Sequence, residues 1–395
     1  MITPGRSLVA LAAGIGLCGS LTGVVMMHPM GLLAQAPVRP SMPVAATQPD
    51  FAPTVDTTAD PGVVASPTPV NVYQATMAGT LSPAVAGIPE RVYVPNSASG
   101  TLDVIDPTTF RVIAHYYVGA IPHHVAPAWD LSRLYVDDEG SGRLSVIDPR
   151  SGALTGRIAV PDPYNLYFTP DGTKAIVVAE VLRRLDFRDP HTFQLIRSVP
   201  IPWRGVDHLD FSADGSYLMA STEFAGVVVK VDAVNMQIVG FVQVGGLPVD
   251  VRLSPDGSVF YVANQGRGGV SVVDPVAMKE IAFIKTGRGA HGLAVSRDTT
   301  SLYVTNRLAG TISVIDFASR SVVATWRIGG SPDMVQLSPD GSQLWTTGRY
   351  NGVVYVVDTT SGKLLHTIRV GGQPHGLTYF PNAGRFSLGH NGVYR

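Results

Sequence analysis

The chain has 395 residues, a formal net charge of −1 and 15% charged residues. There is no basic excess to neutralise phosphates, which argues against nucleic acid as a partner. Forty-two glycines and thirty prolines point to a chain with many tight turns.

Residues 1–36 read as export equipment. Arg6 gives a positive flank, 7–27 is an uncharged and largely apolar run, and Ala34-Gln35-Ala36 offers small residues at a cleavage position. The apolar run is also long enough to span a bilayer uncleaved. The expected location is periplasmic or extracellular, with membrane contact only through this segment if it is retained. The single cysteine, Cys18, lies inside it. A cleaved chain therefore has no disulfide and no thiolate chemistry. Residues 37–89, rich in Pro, Ala and Thr, read as a semi-extended spacer.

From residue 90 onward one sentence repeats. Each copy ends a strand with an aspartate, Asp106, Asp148, Asp189, Asp232, Asp274, Asp316 and Asp358, at spacings of 42, 41, 43, 42, 42 and 42. The copy at 248–285 shows the grammar: a strand at 249–254, the turn Pro255-Asp256-Gly257, then strands at 259–264, 270–274 and 281–285. Proline presets φ, and Asp-Gly accepts the turn. Four short strands per 42-residue copy predict an all-β, seven-bladed β-propeller of four-stranded antiparallel blades. The first copy lacks its first strand, and 375–380 supplies one, so the N-terminal strands pair with a C-terminal strand and close the ring. Residues 385–395 read as a surplus strand and tail. Truncation before His375 is therefore expected to cost far more stability than trimming that tail.

Tyr303-Val304-Thr305-Asn306 is a literal YVTN motif, with variants at Tyr93-Val94-Pro95-Asn96 and Tyr261-Val262-Ala263-Asn264. On these residues the region 91–380 resembles the bacterial YVTN-repeat β-propeller family. The resemblance implies an exported seven-bladed propeller, mostly without an assigned reaction. It is more distantly similar to lactonase-type propellers and to the haem d1-holding propeller of nitrite reductases. A propeller hosts many chemistries, so function has to be read from the site.

The informative position lies seven residues before the Asp or Asn of the first turn in each copy. It reads His123, Tyr164, Asp207, Val249, His291, Asp333 and His375, and the next position adds His124, Asn165, His208 and Asp250. First strands line the central channel, so these positions form a polar funnel rim. The expected ligand-binding residues are His123, His124, Tyr164, Asp207, His208, Asp250, His291, Asp333 and His375. The circular order makes His291, Asp333, His375 and His123 an arc of four consecutive blades, whose imidazoles and carboxylate suit a transition metal such as zinc or copper. Six of the ten histidines, His390 included, fall at or near this rim. The same residues also suit a rim that only holds water or a small ligand. Loops on the same face carry Asp137, Asp138, Glu139, Glu180, Arg183, Arg184, Glu223, Arg267, Arg307, Arg349 and Tyr350, with Trp203, Arg204 and Arg288 nearby, and these suit a protein or anionic ligand. Asp207 and His208 are adjacent in a strand and are expected to face opposite sides.

No Gly-x-Ser-x-Gly elbow, phosphate loop or His-Glu-x-x-His is present. The leading reading is a non-enzymatic exported binding module for a protein or small ligand. A metal- or cofactor-binding propeller is the alternative, and a lactonase-type hydrolase is the third.

Overall fold

The computed structural model describes residues 71–395, and the export segment and most of the spacer lie outside them. Seven four-stranded antiparallel sheets follow one another along the chain. We number them as blades by their third-strand aspartates, with Asp106 in blade 1 and Asp358 in blade 7. Blade 1 is assembled from both ends of the chain: Thr378–Phe380 pairs antiparallel with Arg91–Asn96, with Val92 opposite Tyr379. The closure read from the missing first strand is therefore correct.

The sequence makes blades because its inner strands are apolar on both faces. Val92, Tyr93 and Val94 are all fully buried, as are Leu344 and Trp345. Val92, Val94 and Ile105 of blade 1 pack against Trp345, Val354 and Val356 of blade 7. Burying a large side chain of this kind stabilises by about 1.5–3 kcal/mol, and each blade does so against two neighbours. The fourth strands lie at the outer edge and alternate instead: Ser321–Arg327 is exposed at every second residue. The recurring aspartates cap the turns. Asp316 Oδ1 accepts from Ser319 N (2.7 Å), and Asp256 Oδ1 accepts from Ser258 N (3.0 Å).

Two segments extend the ring beyond the predicted grammar. Residues 71–89, read as the end of a spacer, lie against the face opposite the strand entrances. Val72 N donates to Pro255 O (2.9 Å), the buried Tyr73 donates its hydroxyl to Leu253 O (2.8 Å), and Val85 and Ile88 join the core of blades 1 and 2. Residues 385–395 are not a surface tail. Ser387, Leu388, His390, Asn391, Tyr394 and Arg395 are buried. They form a hairpin that enters the channel, with Phe168 N donating to Leu388 O (2.9 Å) and Ser387 bridged to Tyr394. Its tip, His390–Gly392, is held by Gln336 Nε2 on Gly392 O (2.7 Å). The two aromatic rings of Trp129 and Phe386 stack at its base (5.5 Å). The reading of these residues as a surplus strand and tail is corrected by this burial.

Candidate metal centre in the channel

Five of the seven first strands, those of blades 2, 4, 5, 6 and 7, begin with a β-bulge, and the bulge builds much of the site. In blade 4 the register passes from Val206↔Thr222 directly to Leu209↔Ala220, so one residue too many sits on the inner strand. The same shift occurs between Pro122 and Val125, Pro248 and Val251, Ala290 and Leu293, and Pro332 and Val335. An extra residue suspends the two-sided alternation of a strand. Both members of an entrance pair can then turn toward the axis. The alternation expected for Asp207 and His208 is thereby corrected: His208 Nδ1 lies 2.7 Å from Asp207 Oδ1. The YVTN motif supports this backbone. Thr305 Oγ1 accepts from Gly292 N (2.8 Å), and Asn306 Nδ2 donates to Thr311 Oγ1 and Ser313 Oγ (both 3.0 Å), fixing the loop above.

Six imidazoles meet in the channel. The deeper group is His124, His208 and His390, each with no solvent exposure. One ring nitrogen from each lies within 4.8 Å of the others. Ring centroids are 5.2 Å apart for His124–His208, 5.0 Å for His124–His390 and 4.6 Å for His208–His390. Each Nδ1 has an oxygen beside it: Asn391 Oδ1 at 3.1 Å from His124, Asp207 Oδ1 at 2.7 Å from His208, and Asn165 Oδ1 at 3.2 Å from His390. The Asn165 amide nitrogen is also near, at 2.9 Å. All three Nε2 atoms are buried and have no hydrogen-bond partner among the described residues. Asp250 Oδ1 stands 3.6 Å from His390 Nε2, while the Asp250 carboxylate accepts from Val251 N (2.9 Å) and Leu293 N (2.8 Å).

The charge states suit coordination. Burial first, then the neighbouring histidines, holds His124 well below the usual imidazole range, and burial followed by His208 and Arg252 does the same to His390. Both are neutral near pH 7 and offer a lone pair. For His208 burial is the largest influence and opposes charging, but the charge and hydrogen bond of Asp207 outweigh it and raise the pKa. A metal ion would have to displace that proton.

The outer group is His291, Asp333 and His375, also within 4.8 Å of one another. His291 Nδ1 is 3.1 Å and His375 Nε2 3.8 Å from the Asp333 carboxylate. That carboxylate already answers a cation: Arg307 Nε donates to Oδ1 (2.7 Å), and Arg349 Nη1 lies 3.8 Å from Oδ2. His123, expected as a fourth ligand, is not part of this group. Its Nε2 faces Glu139 (2.8 Å) and its Nδ1 lies 3.0 Å from His375 Nδ1. Tyr164 packs on His123 at 4.9 Å between ring centroids. Other loop residues point elsewhere: Arg267 Nη1 donates to Glu280 Oε1 (2.7 Å), and Trp203 packs on Phe241 (4.9 Å).

The expected rim residues are thus brought together: of the four predicted metal ligands His291, Asp333 and His375 converge and His123 does not join them, while a second group of three imidazoles converges deeper. His390 is the third deep imidazole. The sequence places it near the rim, yet gives no sign that the tail turns back into the channel.

A model of the YNCE-like beta-propeller family matches residues 55–385, a span that stops short of His390. No curated protein matches the chain. Among solved structures, Kuenenia stuttgartiensis hydrazine synthase is 17% identical with a TM-score of 0.55, covering 64% of this chain and 87% of that one. A dihydro-heme d1 dehydrogenase, NirN, in complex with DHE is 16% identical with a TM-score of 0.58, covering 77% and 80%. A functionally unknown protein from Desulfotomaculum acetoxidans is 16% identical with a TM-score of 0.63, covering 73% and 98%. At such identities the likeness is one of fold.

Proposed function

The chain belongs to the YNCE-like beta-propeller family, and because that fold carries many chemistries we propose its function from the channel: an exported propeller that holds a zinc or copper ion and binds a small ligand above it. His124, His208 and His390 are the ligands, with Asp207, Asn165 and Asn391 orienting them. The observation that carries this reading is the set of three fully buried imidazoles whose Nε2 atoms have no partner. An unpaired buried polar atom costs about 1–3 kcal/mol, and three neighbouring ones are explained together by an ion. Three imidazoles leave one position open, as in zinc sites that take water or substrate. Orienting partners of the kind seen here typically matter about 10–100-fold in metal affinity.

The test is elemental analysis of the purified full chain, before and after loading with zinc or copper and desalting. One ion per chain is expected, lost in His390→Ala and retained in the exposed control His191→Ala. Metal-free protein under both conditions removes the reading, as does full retention in His390→Ala.

One observation favours a hydrolytic second reading of lactonase type: the carboxylate–guanidinium group Asp333, Arg307 and Arg349 lies beside the histidines. Turnover on a lactone panel that depends on both metal and Asp333 would support it, and no turnover by the metal-loaded protein would count against it.

A further inference from the structure

The residue that follows the second strand is equivalent in all seven blades, and its charge is sorted around the ring. From blade 1 to blade 7 it reads Ser97, Glu139, Glu180, Glu223, Gln265, Arg307 and Arg349. Three consecutive blades present acids and two present guanidinium groups. A neutral residue separates the arcs on each side. Gln265 joins them physically, donating Nε2 to Glu223 Oε1 (3.2 Å) and accepting from Arg307 Nη1 (3.1 Å).

Sorting of this kind is electrostatically costly. Alternating charges would pair, whereas adjacent like charges repel. Burial first, then Asp207, Glu139, Glu223 and Asp162, pushes Glu180 up to about 8. Burial and then Asp207 push Glu223 up to about 7, with Arg307 opposing. The acidic arc is therefore short of cations. Asp207, 3% exposed, adds a further carboxylate beside this arc, with His208 Nδ1 at 2.7 Å from its Oδ1. On the opposite arc two guanidinium groups, Arg307 and Arg349, share the one carboxylate of Asp333. One arc is thus rich in acids and the other holds more guanidinium groups than carboxylates.

We infer that this mouth binds a small zwitterion, its ammonium group on Glu139, Glu180 and Glu223 and its carboxylate on Arg349 and Arg307. A single molecule of this class answers both arcs at once. The side chains are recessed: Glu139 is 12%, Arg307 10% and Arg349 17% exposed. A flat protein surface cannot reach them, and a small amino acid can. The inference needs no metal ion.

The test is calorimetric titration of the full chain in EDTA with glycine, β-alanine, γ-aminobutyrate and ε-aminocaproate, against butylamine and butyrate. EDTA keeps ligand binding separate from coordination, so failure here and failure of the metal reading are distinguishable. One member of the series is expected to bind at least about tenfold more tightly than either single-charge control. Glu180→Gln is expected to weaken that member and butylamine but not butyrate, and Arg349→Gln to weaken that member and butyrate but not butylamine. Both variants are first checked for an unchanged melting profile cooperativity. No binding by the series, binding no tighter than butylamine or butyrate, or indifference to both substitutions overturns the inference.

Discussion

His390 and His208 stand ring to ring at 4.6 Å and nearly perpendicular (81°), one from the hairpin in the channel and one from the bulge of blade 4. The hairpin therefore contributes both to the core and to the candidate site. Beyond its tip, Arg395 donates Nη2 to Asp210 Oδ1 (2.9 Å) and Oδ2 (3.0 Å), and both residues are buried.

Removal of residues 385–395 is expected to lower the melting temperature sharply and to abolish metal retention. It removes Leu388 and Tyr394 from the core and leaves Asp210 without the guanidinium of Arg395. Breaking a buried ion pair from one side costs about 3–5 kcal/mol. Asp210 keeps backbone donors from Phe211 and Leu253 (both 2.8 Å), so Arg395→Ala alone should fall at the lower end. A truncated chain that melts with the intact one would show that the hairpin does not occupy the channel.

Asp333 should be one of the most sensitive positions outside the deep histidines. Asn at this site keeps the shape but strips the counter-charge from buried Arg307, at a cost of about 3–5 kcal/mol. Arg307→Gln in the same chain removes the stranded cation. The double variant is therefore expected to be more stable than the sum of the two single losses, by about 0.5–3 kcal/mol in a thermodynamic cycle. Additive losses would mean that the two groups do not interact.

The fold was readable because the repeat is strict. Four strands, an Asp-terminated third strand and a missing first strand leave little choice of topology. The candidate residues were readable for the same reason, since His123, Asp207 and His291 occupy one register position. Which of them converge was not readable. Strand alternation predicts that Asp207 and His208 diverge, and only the bulge that follows Gly205 turns both inward. The placement of His390 depends on a hairpin that follows no repeat. The charge order of the mouth, from Glu139 to Arg349, lay in plain view at a fixed register and needed only the seven copies to be compared position by position.

Stability should depend on pH through two opposed groups. Burial and then Asp207 raise Glu180 from 4.5 to about 8, so the folded state holds a proton that the unfolded chain has lost. Its contribution is complete below pH 4.5 and is lost as pH rises through about 8. Burial, the largest influence on each, depresses His124, His291, His375 and His390, so their contribution is present above about 6.5 and is lost as pH falls. Glu180→Gln removes only the first effect. Its melting temperature relative to the unaltered chain should rise between pH 5 and pH 8.5. A difference that stays constant across that window would show that Glu180 is not strained by its acidic neighbours.

Gly376 offers a way to disturb the deep site without touching a ligand. A Cβ there would lie 2.3 Å from Asn391 Oδ1, 2.7 Å from His124 Nδ1 and 2.9 Å from His123 O. None of these can yield freely: Asn391 belongs to the hairpin tip, and His124 and His123 sit in the bulge of blade 2. Gly376→Ala is therefore expected to break the Asn391–His124 contact, cost about 1–3 kcal/mol and weaken metal retention. Gly372→Ala is the control, because its Cβ would meet only Ala98 Cβ at 3.4 Å and Ser99 N at 3.9 Å, both ordinary contacts. The two alanines are four residues apart in one segment, so a general intolerance of that segment would affect both. Melting curves and metal content of the pair decide the matter: equal behaviour would mean that the hairpin tip does not press against His124.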